Sequence, residues 1–293
     1  MIAHFIQKFK TTAIIALKIS FVFLAFYLVF QEIDIEDIIS QLEGVSISWL
    51  VLAFVFSNIS LIFSGLRSQV YFEQFGLKIS KSFSVMLYYI GTFFNVVLPG
   101  GITGDGYKVF AIAKHYNFSK IKALRVILYE RVNGFYVLGI LCLICVYFSD
   151  FANIQHVNII NTILLVAITP CYAFGIKYVL RDRFDAVVKA TTYSFVVQIL
   201  QVLMALSIMK AFDVDFMPYM DLLVLFIAGS ILCVLPISIG GIGMRELTFL
   251  YGAELLGSLS PELSVSIGFL SFIIYAATAL IGMPIMLLKL NKS

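Results

Sequence analysis

Long apolar stretches recur along the whole chain and are separated by short polar segments. They cover residues 12–30, 48–66, 81–98, 126–148, 158–176, 190–209, 222–236 and 263–288. A helix needs about 20 apolar residues to cross the hydrocarbon core of a membrane, which is about 30 Å thick. The pattern therefore predicts an all-α polytopic membrane protein that forms a single transmembrane domain over residues 1–293.

The composition agrees with this class. Hydrophobic residues make up 61% of the chain and charged residues 13%, whereas soluble proteins contain about a quarter charged residues. A soluble enzyme, a nucleic-acid-binding protein and a disulfide-stapled secreted domain are thereby excluded. Cys142 and Cys145 have the spacing C-x-x-C, but no second cysteine pair or histidine stands nearby in the sequence. We therefore expect no metal site and no cofactor.

The distribution of charge indicates that two of the eight stretches do not cross the membrane. Eight full crossings would put the basic segment after Leu98 on the side opposite Lys8 and Lys10, against the positive-inside rule. We therefore predict that 81–98 and 222–236 enter only part of the way, break, and return to the side from which they came. This gives about six full transmembrane helices and two re-entrant helical hairpins, near 81–115 and 222–257.

With this topology, basic residues segregate to one side of the membrane. The cytoplasmic side holds fifteen lysines and arginines, among them Arg67, and the outer segments 31–47, 149–157, 211–221 and 258–262 hold none. The protein is therefore predicted to be a multi-pass protein with both termini in the cytoplasm. The first hairpin enters from the cytoplasm and the second from outside.

The two predicted breaks resemble each other in sequence. Residues 97–108 and 234–245 both read V-L-P-x-x-x-x-G-x-G-x-[KR], with Lys108 aligned on Arg245. Interrupted apolar segments at matching places in two halves of a chain point to the binding site of a transporter. The hairpins are thus predicted to form an internal repeat. The residues expected to break the helices are Pro99, Gly100, Gly101, Pro236 and Gly240.

The residue types at the breaks favour binding of an anion. A helix that restarts after a break exposes unpaired N–H groups and the positive end of its dipole, to which Lys108 and Arg245 add full charges. Two readings of the glycines stay open. Gly104, Gly241 and Gly243 either allow the backbone to approach a substrate or only permit tight helix packing.

Further polar residues lie at predicted membrane depth, where an ionisable side chain costs at least about 2.5 kcal/mol to insert. Asp105 and Glu246 either contact substrate or pair with the neighbouring Lys108 and Arg245. Glu130 and Arg131 either face a cavity or snorkel to the interface. Asn95 is suited to hydrogen bonding with exposed backbone or with a substrate.

Three motifs together resemble one known family. They are N-x-x-L-P-G-G-x-x-G-D-G-x-[RK] at Asn95–Lys108, E-R-x-x-G at Glu130–Gly134 and L-P-x-S-I-G-G-x-G-x-R-E at Leu235–Glu246. Over nearly the whole chain, this order resembles the lysylphosphatidylglycerol synthase/flippase transmembrane family. The resemblance implies a bacterial or archaeal cytoplasmic membrane protein that moves or handles a lipid with a charged headgroup. It also implies which residues line the headgroup pathway: Asp105, Lys108, Glu130, Arg131, Arg245 and Glu246.

The leading hypothesis is a flippase-like lipid translocase that binds an anionic or zwitterionic headgroup in a midplane cavity between the hairpins. The lipid is a phospholipid or a polyprenyl phosphate. The alternative is a membrane-embedded transferase, or an accessory subunit, that acts on polyprenyl-phosphate-linked sugars in cell-envelope glycan synthesis. A third is a non-catalytic scaffold. The expected protein partner is either a second copy of the chain or a glycosyltransferase.

Enzymatic activity is not expected. The chain stops at Ser293, a few residues after the last apolar stretch, so we expect no synthase domain. It also contains no G-x-x-x-x-G-K-[ST] motif for a nucleotide.

Overall fold

The described part of the protein is helical and contains no strand. The computed structural model describes residues 20, 23–25, 27–29, 31, 35–98, 103–180, 184–214, 218–233, 241 and 243–290. All five predicted helix-breaking residues lie outside these ranges, namely Pro99, Gly100, Gly101, Pro236 and Gly240. Most of the first apolar stretch, 12–30, lies outside them as well.

The helix boundaries follow the predicted apolar stretches closely. The helices are α1 (Ile35–Glu43), α2 (Ile47–Gln74), α3 (Lys81–Val97), α4 (Thr103–Tyr116), α5 (Lys120–Tyr147), α6 (Val157–Leu180), α7 (Phe184–Ala211), α8 (Tyr219–Leu232), α9 (Met244–Leu256), α10 (Pro261–Leu280) and α11 (Gly282–Leu290), with a 3₁₀ turn at Asp150–Asn153. Local sequence sets several starts. Ser80 and Ser260 accept hydrogen bonds from the amides of Phe83 and Leu263, and so cap α3 and α10.

Among the described residues, five helical stretches are long and apolar enough to cross a membrane: Ile47–Gln74, Lys120–Tyr147, Val157–Tyr178, Ala186–Ala211 and Pro261–Leu288. The last of these combines α10 and α11. Helix α8 is apolar but shorter, over Tyr219–Leu232. The prediction of a polytopic all-α membrane protein is confirmed. The full count of six spans stays a prediction, since it includes the stretch 12–30.

The short helices form two antiparallel hairpins. In the first hairpin (α3 and α4), the ring of Phe83 stacks on His115 at 5.2 Å, and near the other end Phe94 meets Tyr107 at 4.7 Å. In the second hairpin (α8 and α9), Gly252 packs against Leu225. The two helices of each hairpin therefore run in opposite directions, and the breaks predicted from the sequence fall between them along the chain. The depth of the hairpins in a membrane stays a prediction.

The two halves of the bundle repeat the same arrangement of helices. Helices α2–α5 of the first half correspond in order to α7–α10 of the second. Within the halves, α2 contacts α3 and α5, and α7 likewise contacts α8 and α10. Between the halves, α5 packs on α8, and α10 likewise packs on α3. The internal repeat predicted from the two hairpin motifs thus extends to a unit of four helices, in which two long helices flank one hairpin.

The repeat is inverted. The amide of Ser46, at the start of α2, donates to the carbonyl of Ala211, at the end of α7, at 2.9 Å. Further along, Arg67 of α2 contacts Ser194 of α7. Because α2 and α7 are antiparallel, the hairpins that follow them begin at opposite ends of the bundle. This geometry agrees with the prediction that the hairpins enter from opposite sides.

The apolar core contains two larger clusters. One contains Tyr71, Phe72, Leu87 and Ile112, mostly from the first half. The larger cluster gathers residues of α7, α8, α9 and α10, including the fully buried Phe249, and it also takes in Ala53 of α2 and Leu138 of α5. The two halves therefore pack against each other as well as within themselves.

Close helix contact in the first hairpin depends on a glycine. A Cβ placed on Gly104 would overlap the carbonyl oxygen of Gly91 and lie 2.9 Å from Oδ1 of Asn95. This close contact supports the packing interpretation of Gly104. Gly106, two residues on, has no atom within 4 Å of its Cβ position.

This contrast predicts opposite effects of one substitution at two positions. Gly104→Ala should separate α3 from α4 and lower the midpoint of thermal unfolding in detergent, with a cost of about 1–3 kcal/mol or more. Gly106→Ala, the matched control, should be neutral or stabilising by about 0.5–1 kcal/mol, because alanine favours helix. Equal midpoints for the two variants would contradict this account of the hairpin contact.

Candidate functional site

The basic residue of the first hairpin lies in a cradle formed by the preceding helix. Nζ of Lys108 is 4.1 Å from the centre of the Tyr88 ring. The stem of the lysine runs past Gly91, where a Cβ would lie 3.2 Å from its Cγ. An aromatic face attracts a cation, and the glycine leaves room for the aliphatic stem.

The second hairpin holds its basic residue in the same way. Cζ of Arg245 is 5.7 Å from the centre of the Phe226 ring. Its side chain runs past Gly229, where a Cβ would lie 3.6 Å from Cγ of Arg245. In both hairpins the aromatic residue precedes the glycine by three positions, as Tyr88 precedes Gly91. The ring and the glycine therefore face the same side of their helix. The alignment of Lys108 on Arg245 therefore corresponds to equivalent surroundings in space.

The buried lysine of the first hairpin is paired within the protein. Oδ1 of Asp105 is 2.8 Å from Nζ of Lys108, and its Oδ2 is 2.5 Å from Nε of Arg131 on α5. The pair of Asp105 with Lys108 is as expected, and Arg131 joins it. All three side chains lie mostly inside the bundle, with exposed fractions of 13%, 7% and 26%.

The expected partner of Arg245 is engaged elsewhere. Oε2 of Glu246 accepts a hydrogen bond from the amide of Gly243 at 2.8 Å and so closes the first turn of its own helix. No ion pair joins Glu246 to Arg245 in the described part of the chain. In the repeat, the position of Asp105 corresponds to Ile242. The arginine therefore has no carboxylate partner among the described residues.

At the start of α4 and of α9, a side-chain oxygen accepts a hydrogen bond from a backbone amide. The amide of Gly104 donates to Oδ1 of Asn95 at 2.8 Å, as that of Gly243 does to Glu246. Gly241 and Gly243 have φ of +87° and +85°, which only glycine adopts readily. The amides of Gly104 and Gly243 are therefore already hydrogen bonded within the protein.

A buried hydrogen-bonded chain joins three long elements behind the first hairpin. Arg67 donates from Nη1 to Oγ of Ser194 at 2.9 Å and from Nη2 to the hydroxyl of Tyr88 at 3.3 Å. Tyr88 in turn donates to Oε2 of Glu130 at 2.6 Å. Glu130 is 2% exposed, so the snorkelling alternative is wrong for this residue. Arg67, predicted on the cytoplasmic side, lies inside the bundle two turns before the end of α2.

The chain extends into α6 and α7. Ser194 donates to Oδ1 of Asn133, whose amide nitrogen donates to Thr191 at 2.7 Å and to Tyr172 at 2.5 Å. Asn133 is fully buried. The polar groups behind the first hairpin are therefore held in place by bonds between helices.

A cavity of about 310 Å³ lies between the tips of the two hairpins and the long helices. Its volume is within the range of small-molecule sites. Ser57, Ser60 and Ser64 form one polar stripe of its wall. The charged residues that line it are Arg67, Asp105, Lys108, Glu130, Arg131 and Arg245. Four cations and two carboxylates leave a formal charge of +2 on this described lining.

The family model described as the lysylphosphatidylglycerol synthase TM region matches residues 14–176 of the chain. The chain belongs to this family. More than half of the 293 residues are matched, including the first hairpin, Glu130 and Arg131. The second hairpin lies beyond the match, and its relation to the first rests on the inverted repeat. A comparison with curated proteins gave no match.

Membership in this family agrees with the long apolar helices of the structure, and both indicate an integral membrane protein of a flippase-like family. The match covers the membrane region of the family, which is the part that the helical bundle represents. In the described residues, no three histidine, cysteine, aspartate or glutamate side chains come together as metal ligands would.

The structure brings most of the predicted site residues of this family member together. Six line the cavity: Asn95, Asp105, Lys108, Glu130, Arg131 and Arg245. Four others do not line it and support the backbone of the hairpins: Gly104, Gly241, Gly243 and Glu246. Sequence reasoning missed several lining residues, among them Arg67, Tyr88, Phe226, Gln198 and Tyr275. Two of these residues, Tyr88 and Phe226, could have been found from the aromatic-x-x-Gly pattern that both hairpins share.

Removing the shared carboxylate should destabilise the protein. Asp105→Asn leaves Lys108 and Arg131 without a counter-charge, and loss of one partner of a buried pair costs about 3–5 kcal/mol. The thermal unfolding midpoint should fall markedly, and the double variant Asp105→Asn/Lys108→Met should recover part of the loss.

The matched control is Asp213→Asn. Asp213 pairs with Lys210 at 3.4 Å with its side chain 93% exposed, and an exposed pair contributes little. The midpoint should therefore barely move. If Asp213→Asn lowered the unfolding midpoint as much as Asp105→Asn, the effect could not be attributed to burial of the Asp105 ion pairs.

Proposed function

We propose that the protein moves a lipid with an anionic or zwitterionic headgroup across the membrane, and that the headgroup binds in the cavity between the hairpins. The observation that carries this proposal is the excess of cations in the lining, with Arg245 lacking a carboxylate partner among the described residues. A charge inside a membrane protein is expensive unless it is paired. A phosphate would supply the counter-charge that Arg245 lacks among the described residues.

The inverted repeat supports movement as well as binding. Antiparallel α2 and α7 place the two hairpin tips at one cavity from opposite ends of the bundle. In transporters built from inverted repeats, one half rocks against the other around a central site. The headgroup then changes sides while the apolar tails of the lipid stay in the bilayer.

The proposed location is the cytoplasmic membrane of a bacterium or archaeon, with both termini inside. The proposal follows the loop charges, because basic residues gather on one predicted side. Lys210 directly precedes the predicted outer segment 211–221, where a basic residue is unfavourable for this orientation. Its ion pair with Asp213 offsets that charge.

The test is a leaflet-exposure assay with the full chain in proteoliposomes. The probes are fluorescent phosphatidylglycerol, its lysyl ester and a polyprenyl-phosphate analogue, with bleaching of the outer leaflet as the readout. At least one probe should become fully accessible in the presence of the protein. Arg245→Ala should slow this movement at least tenfold, since a hydrogen bond to a charged group contributes about 1.5–3 kcal/mol. Arg245→Lys should retain part of it.

The matched control is Arg125→Ala, which removes an exposed arginine outside the cavity lining and should leave the rate unchanged. Mass spectrometry of the recovered lipids separates transport from a transferase activity. If no probe moves, or if Arg245→Ala moves lipid as fast as the unaltered protein, the proposal is wrong. A chemically altered probe would favour the transferase.

A further inference from the structure

The second half of the bundle has a tyrosine where the first half has a glycine. The equivalent spans Lys120–Tyr147 and Pro261–Leu288 both contain 28 residues. Every residue buried in α5 has a buried counterpart at the same distance along the second of these spans. Gly134 and Tyr275 also stand at equal distances from the starts of their spans, and both line the cavity. The two halves therefore present a bare backbone and a phenol at equivalent places.

The hydroxyl of Tyr275 is available to a ligand. It makes no hydrogen bond with the residues that the structure describes, yet it is not one of the buried atoms that lack a partner. It is therefore accessible from the cavity that Tyr275 lines. Charged groups of both hairpins act on it, Arg245 most strongly and then Asp105. Its helix is fixed in place, because Thr278, almost one turn further on, is hydrogen bonded to Ser57 of α2 at 2.9 Å.

The basic residues near this hydroxyl differ in what they already bind. Nζ of Lys108 is 2.8 Å from Oδ1 of Asp105, so its charge is balanced within the protein. Arg245 has no carboxylate partner among the described residues. The ring of Phe226 attracts the guanidinium through its face and leaves the N–H groups of the arginine for other partners. Arg245 and Tyr275, both from the second half, thus combine a charge and a neutral donor.

We propose that Tyr275 is a ligand-binding residue whose hydroxyl donates a hydrogen bond to the anionic group that Arg245 binds. This inference rests on the proposed function, and it adds that the anion lies on the side of the cavity formed by the second half. The oxygens of an ionised phosphate accept hydrogen bonds, and a phenol donates one. It does so without adding another charge to a bundle in which every charge is costly to bury.

Replacing the phenol by a phenyl ring separates this role from simple packing. The hydroxyl has no partner among the described residues, so Tyr275→Phe should leave the thermal unfolding midpoint of the lipid-free protein unchanged. A tyrosine that only fills space would be replaced by phenylalanine without any effect on binding. We expect instead that the affinity for a lipid phosphate falls about tenfold, the loss that corresponds to one hydrogen bond to a charged group.

The measurement is isothermal titration calorimetry of the purified full chain in detergent. The probes are two pairs of short lipids that differ in the phosphate: dioctanoyl phosphatidic acid with dioctanoylglycerol, and farnesyl phosphate with farnesol. Tyr275→Phe should weaken binding of the phosphates and leave binding of the uncharged lipids as it was. The pair with the larger effect distinguishes a phospholipid from a prenyl phosphate.

The matched control is Tyr251→Phe. Tyr251 is exposed and lies outside the cavity lining, so removal of its hydroxyl should change neither the affinity for the phosphates nor the unfolding midpoint.

The outcomes separate the two proposals. If Tyr275→Phe binds both phosphates as tightly as the unaltered protein does, if it weakens the uncharged lipids equally, or if it lowers the unfolding midpoint of the lipid-free protein, the role given to Tyr275 is wrong. In those cases loss of phosphate binding in Arg245→Ala would still support the proposed function. Unchanged phosphate binding in Arg245→Ala, or no binding of either phosphate by the unaltered protein, would overturn both.

Discussion

The need to balance charge inside an apolar bundle governs this structure. Asp105 serves two cations at 2.8 and 2.5 Å, and Glu130 is bonded to a tyrosine that also binds Arg67. In the second half, Arg245 rests on the ring of Phe226 and lacks a carboxylate in the described part of the chain. The buried lysine of the first hairpin is thus paired within the protein, whereas the arginine of the second has no carboxylate partner among the described residues.

The two halves differ in the pairing of their basic residue and not in its cradle. Both hairpins have a glycine and an aromatic ring around the basic residue. The carboxylate at 105 has no counterpart, because the corresponding position, 242, is isoleucine. The acid of the second hairpin stands one residue after the arginine, and it caps the helix. A symmetric scaffold therefore holds an asymmetric site.

Local signals made most of the fold predictable. Apolar stretches and serine caps determine where α3 and α10 begin, and the repeated motif indicated that one helix of each hairpin ends and another begins nearby. Partner choice was harder to predict, because it depends on contacts between distant segments. Arg67 binds Ser194, 127 positions away, and in sequence it looks like any arginine near a helix end. The role of Glu246 was partly readable, since Gly243-x-x-Glu246 has the spacing of a capping box. The cavity itself requires both halves.

The order of the charges along the chain also bears on synthesis. Asp105, Lys108 and Arg131 lie within 27 consecutive residues of the first half. A ribosome therefore completes this ion-paired group before it makes any of the second hairpin. Arg245 follows more than a hundred residues later. Synthesis thus supplies the carboxylate of the first hairpin together with the cations that it pairs, and it supplies last the arginine for which the described residues offer no carboxylate partner.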